Sequence, residues 1–161
     1  QYDRIYSVGM FEHVGKKFYN IFFKSINNLL KDDGLFLLHT IGVVDKPTPP
    51  NKFINKYIFP GGTCPSLSQI VKPIEKTGLI VADTETLIRH YDKTLMSWLN
   101  RFMAKRDLVK DMFDEKFVKM WSFYLASCAS AFRYRDLVVF QLQIVKNFDT
   151  AHSTRDYIYN P

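Results

Sequence analysis

Glu12, His13, His39 and Tyr91 are the residues of this chain whose chemistry reaches beyond packing. A carboxylate accepts protons, an imidazole exchanges them near neutral pH, and a phenol donates a hydrogen bond to an anion. Glu12-His13 follows residues 3–10, which read as a buried strand, and His39 closes an apolar run, Leu35-Phe36-Leu37-Leu38. Between them, residues 16–31 carry helical spacing. The order is strand, loop, helix, strand. In an open α/β sheet, ligands bind at the carboxyl ends of the strands, so the two strand ends form one wall of a candidate site. Each residue also has a plainer reading. Glu12-His13 could open a helix, His39 could be a buried histidine satisfied by backbone, and Tyr91 could pack over the helix that follows it.

The elements that must position these groups are legible in the pattern. Phe18, Phe22, Ile26, Leu29 and Leu30 share one face of the helix at 16–31. Asp33-Gly34 is expected to end it, with Gly34 in the left-handed C-terminal position. The strand at 35–41 is apolar on both faces until His39, which suits a parallel sheet covered on both sides. Residues 43–50 hold three of the seven prolines and read as a loop. The segment Phe53–Phe59 is either core or a lid over a lipid tail. A helix over 66–77, a strand over 79–87, and helices beginning near Thr94 and at 115–132 follow. Leu137–Val145 is the last strand. Residues 147–161 are polar and aperiodic and read as a tail, leaving 1–146 as one α/β domain with about four strands and four or five helices.

Composition narrows the function. At 161 residues and 47% hydrophobic, the chain can build a core. It has no apolar run of about 18 residues and no signal-peptide pattern at its start. It contains neither G-x-G-x-x-G nor a P-loop. The net charge of +6 fits an anionic partner. The basic residues are scattered and form no nucleic-acid motif, which ranks a membrane surface above nucleic acid. Cys64 and Cys128 lack metal-binding spacing and read as reduced thiols of a cytoplasmic protein, with no metal expected. Arg133–Asp136 reads as a solvated turn, with phospholipid headgroup contact as the alternative.

Four segments then carry a resemblance: Ser7–Gly15, Leu37–Gly42, Asn55–Gly62 and His90–Leu95. In this order they resemble the cyclopropane fatty acid synthase family, which includes the mycolic acid cyclopropane synthases. The similarity spans roughly residues 2–146. It implies the C-terminal part of a class I S-adenosylmethionine-dependent methyltransferase, a Rossmann-like sheet with covering helices, missing the N-terminal strands. The implied reaction transfers a methylene from S-adenosylmethionine to a cis double bond of a phospholipid acyl chain. Bicarbonate takes the proton that is released. By motif match the bicarbonate cage would include Glu12, His39, the Ile41 backbone and Tyr91. Val8 (main chain) and His13 would contact the cofactor, and Phe59 and Leu95 would line the acyl channel. The family's cage also holds a cysteine, which the resemblance places ahead of Gln1; neither Cys64 nor Cys128 matches it.

Peripheral contact with the inner face of the membrane is the corresponding expectation for location. Two alternatives stay open: a related N-methyltransferase acting on a small amine, and a non-catalytic association fragment. The chain is expected to be inactive alone, without the cofactor cradle. It is expected to self-associate, because half a sheet leaves strand edges that invite pairing.

Overall fold

The computed structural model describes residues 1–49 and 51–159. In it β1 (Tyr2–Val8), β2 (Leu30–Val43), β3 (Ile80–Leu87) and β4 (Leu137–Val145) form one sheet in the order β1-β2-β4-β3. β1 and β2 are parallel, and β4 is antiparallel to both β2 and β3. The sheet is therefore mixed, where the apolar run at 35–41 suggests a parallel one. Such a run reports burial on two faces and says nothing of strand direction.

Both faces of β2 and β4 are covered, whereas β1, expected to be buried, is an edge strand exposed along most of its length. Even-numbered residues of β2 and β4, among them Phe36, Leu38, Leu142 and Ile144, enter a first core. There they meet α1 (Tyr19–Leu29) and α3 (Leu67–Lys76). Odd-numbered Ile41 and Val139 face a second core. That core is built with α2 (Lys52–Tyr57), α4 (His90–Ala104) and α6 (Glu115–Tyr134). This alternation is the period of two that a pleated strand imposes.

The helix expected over 16–31 ends at Leu29, and Leu30 is already extended. Leu30 is fully buried and pairs with Tyr2, so tertiary burial overrides its place on the helical stripe. The register then slips: Arg4 faces Leu35, leaving Lys31–Gly34 as a bulge. Asp33-Gly34 thus marks a bend within β2 and not a helix cap. Gly34 has no left-handed φ. A Cβ there would lie 2.7 Å from Leu30 Cδ1, so close packing demands glycine.

Two helices were not expected from spacing: α2, inside the apolar segment 53–59, and α5 (Arg106–Met112). The segment read as a tail also folds. It contains a 3-10 turn, Phe148–Thr150, and α7 (Asp156–Tyr159). Arg155 Nε donates to Asp83 Oδ2 at 2.6 Å, and Gln143 Nε2 donates to the Tyr157 hydroxyl at 2.6 Å. Residues 147–159 therefore lie back on β3 and β4. Pro50 of the expected loop, and Asn160 and Pro161 of the expected tail, lie outside the described residues. Among the described residues, no helix is long and apolar enough to cross a membrane.

Candidate functional site

The site forms at the carboxyl ends of β1 and β2. After β1 the chain makes a 3-10 turn, Phe11–His13. Phe11 is fully buried and stacks on Tyr19 at 4.3 Å between ring centres. That anchor turns the adjacent Glu12 inward, where it is 7% exposed. Glu12 Oε1 accepts the Ile41 amide at 2.7 Å. The Thr63 amide donates to the Glu12 carbonyl at 2.8 Å, fastening the turn after α2 to the same residue. Gly42 makes this approach possible, since a Cβ there would lie 2.6 Å from the Pro65 carbonyl oxygen.

Glu12 Oε2 is buried and has no hydrogen-bond partner among the described residues. Leaving a buried carboxylate oxygen unpaired costs about 1–3 kcal/mol or more. The Ile41 amide, expected to face an anion, instead donates to Glu12, so the free valence of the pair sits on Oε2.

His39 lies two residues before Ile41 on the same face of β2. Its Nδ1 is 3.1 Å from Gln141 Oε1. Val8 stands opposite His39 in the parallel ladder, and the Gly9 amide donates to the His39 carbonyl at 3.1 Å. In a parallel ladder a residue bonds to the two neighbours of its partner. The N–H and C=O of Val8 itself therefore point out of the open edge of β1.

Tyr91 opens α4 and belongs to the second core with Ile41 and Leu95. Its ring packs on Phe132 at 5.2 Å and on Trp98 at 5.8 Å. Burial raises its phenol pKa first, with the negative charge of Glu12 acting in the same direction. At neutral pH it is a protonated donor. Arg133, read as part of a solvated turn, instead closes on Asp92 beside Tyr91, with Nε to Oδ2 at 2.8 Å.

His13 is exposed and meets Phe59 edge-on at 5.9 Å; Phe59 in turn meets Tyr124 at 5.9 Å. Leu95 is fully buried in the second core. Of the eight residues singled out from sequence, Glu12 and Ile41 are joined by a hydrogen bond, His13 meets Phe59 ring to ring, Val8 stands opposite His39, and Tyr91 and Leu95 share the second core with Ile41. Cys64 and Cys128 are free thiols. Burial, followed by the Glu12 charge, pushes Cys64 up to about 12, so it stays protonated and unreactive at neutral pH.

Spacing did not single out Gln141, Glu85 or Asp92. A signal existed for the first: Gln141 and Gln143 alternate with apolar residues in Leu137–Val145, marking one face as polar.

Residues 1–142 match the family model described as mycolic acid cyclopropane synthetase. The chain belongs to that family. Among curated members, the cyclopropane-fatty-acyl-phospholipid synthase of Escherichia coli K12 is 44% identical over 142 residues, 88% of this chain and 37% of that protein. Sphingolipid C9-methyltransferase 2 of Gibberella zeae is 33% identical, over 94% of this chain and 30% of its own length. The solved cyclopropane synthase MmaA2 of Mycobacterium tuberculosis superposes with a TM-score of 0.81 at 30% identity, over 88% of this chain and 54% of that one. Mycolic acid cyclopropane synthase CmaA1, solved with SAH and CTAB, gives the same TM-score at 33% identity and the same coverage. The fold is thus that of the class I methyltransferases. The chain spans about half the length of the two solved family members, 37% of the E. coli enzyme and 30% of the Gibberella zeae one.

Proposed function

We propose that this chain is the acid–base and acyl-binding part of a cyclopropane-fatty-acyl-phospholipid synthase. The buried Glu12, fixed by the Ile41 amide and left with an unpartnered Oε2, carries this reading. A fixed, dry carboxylate oxygen at a strand end suits proton handling.

S-adenosylmethionine, when bound, supplies an electrophilic methyl group to the double bond. The outward-facing main chain of Val8 and the exposed His13 are the groups here that would hold it. Loss of one proton from the added carbon lets its C–H electron pair close the ring. Bicarbonate fits the role of small base, because its hydroxyl is a donor that Glu12 Oε2 lacks. Tyr91, kept protonated, would donate to the anion, and His39 would hold or pass on the proton. The rings of Tyr91, Tyr124 and Phe59 would offer π electrons to a developing cation. Phe59 and Leu95 would line the acyl chain.

The substrate would be a phospholipid acyl chain reached from the membrane surface by peripheral contact on the cytoplasmic side. The exposed apolar side chains Leu108, Met112 and Phe113 beside Lys105 and Lys116 are consistent with such contact. The chain alone would be inactive and would self-associate.

The test is a chimera in which residues 1–142 replace the matching region of the E. coli enzyme. Given S-adenosylmethionine and vesicles of unsaturated phospholipid, it should yield cyclopropane acyl chains, and Glu12→Gln should lower the rate by about 10²–10⁴. A folded chimera that binds S-adenosylmethionine but methylates only small amines would overturn the lipid reading.

A further inference from the structure

His39, Gln141 and Glu85 stand directly opposite one another on three adjacent strands. Opposed residues point to the same face of a sheet, so their side chains form one row across β2, β4 and β3. Gln141 Nε2 donates to Glu85 Oε2 at 2.9 Å, and Gln141 Oε1 lies 3.1 Å from His39 Nδ1. The chemistry of the row leaves one arrangement. An ionised carboxylate only accepts, so the amide must turn its NH2 toward Glu85. Its oxygen then faces His39, and an amide oxygen only accepts as well. His39 Nδ1 must carry the proton. The reversed amide would set two acceptors face to face at Glu85.

We propose that Gln141 and Glu85 are positioning residues that hold His39 as the Nδ1–H tautomer. The Nε2 lone pair is thereby kept for a proton released in the site. The neutral imidazole then acts at Nε2 as an acceptor, and it donates from Nε2 only when protonated. The arrangement parallels that of metal-binding histidines, whose second nitrogen is oriented by a carboxylate or carbonyl. Here the carboxylate acts through an intervening amide. The role in catalysis rests on the proposed function; the tautomer does not.

The test is a nitrogen-15 spectrum of the imidazole rings in the intact chain at pH 8, with His39 assigned through His39→Gln. The expected pattern is a protonated Nδ1 and an unprotonated Nε2. A dominant Nε2–H form would overturn the proposal. In Gln141→Leu the Nε2–H form should become populated. In the double variant Glu85→Gln with Gln141→Glu, the carboxylate again accepts from Nδ1, and the Nδ1–H form should return. Amide spectra confirm that each variant is folded. Loss of the tautomer in both variants, or in neither, would overturn the row as its cause. These spectra are read without methyl transfer, so a folded chimera that methylates only small amines but shows the expected tautomer refutes the lipid reading and leaves the row standing. In an active chimera, Gln141→Leu should lower kcat with little change in KM for S-adenosylmethionine, and an unchanged kcat would overturn the positioning role.

Discussion

Asp92 and Arg133 meet in a two-pronged ion pair, Nε to Oδ2 at 2.8 Å and Nη2 to Oδ1 at 2.9 Å. It joins the start of α4 to the end of α6, one residue from Tyr91. The carboxylate is buried, while the guanidinium is partly exposed. Removing the cation strands a buried anion, which is worse than removing both partners. Arg133→Met should therefore lower Tm more than the double change Arg133→Met with Asp92→Leu. A double-mutant cycle by thermal unfolding checks this, and equal losses would refute it.

Leu95 and Phe59 share an assigned role but differ in burial: Leu95 is 1% exposed and Phe59 41%. Leu95→Ala should cost about 2–5 kcal/mol of stability. Phe59→Ala should cost well under half as much and leave the urea midpoint close to that of the parent. A reversed order in urea titrations would place the channel wall elsewhere.

Alkaline pH should weaken the fold. Cys64 has an ordinary value of 9.0 and is held up to about 12 when folded, chiefly by burial. Between those values the unfolded chain has lost the thiol proton and the folded chain keeps it. The unfolded state then binds fewer protons, so stability falls as pH rises, by at most about 1.4 kcal/mol per pH unit for one group. Below pH 9 this group changes nothing. Tyr124, raised from 10.0 to about 12 by burial, adds to the slope later. Cys64→Ser should remove part of the loss that begins near pH 9, read from urea midpoints across pH; Cys128, also raised by burial, keeps the rest.

The outer edge of β1 should make the isolated chain associate. Tyr6 is 77% exposed and Val8 59% exposed on that strand. Light scattering should give a mass above the 18.9 kDa of one chain. Tyr6→Lys should shift the mass toward the monomer, since charged edges resist pairing. A monomeric parent at high concentration would contradict this.

The candidate site residues could be named because they sit inside short local motifs that the family resemblance picks out. A strand end and a turn placed Glu12, and the helix over 115–132 was plain in its spacing. Leu137–Val145 was equally plain as a strand. Its place between β2 and β3 was not, because pairing partners distant in sequence leave no periodic mark. The end of α1 was misplaced because Leu30 satisfies both a helical stripe and a buried strand, and pairing with Tyr2 of β1 decided between them. Residues 147–159 looked like a tail because Arg155 and Tyr157 bind Asp83 and Gln143 by polar contacts, which hydrophobic spacing does not register.

The position of β4 also governs how the chain can fold. Of the four strands it is the last in sequence, yet it fills an inner place, and among the described residues β3 pairs with no strand but β4. Until Leu137–Val145 arrives, β3 has no ladder and the row through Gln141 has no middle. Closing such a large loop comes late and slowly. A break in the chain between β3 and β4 would therefore leave β1 paired with β2, β3 without a partner strand, and the row through Gln141 unmade.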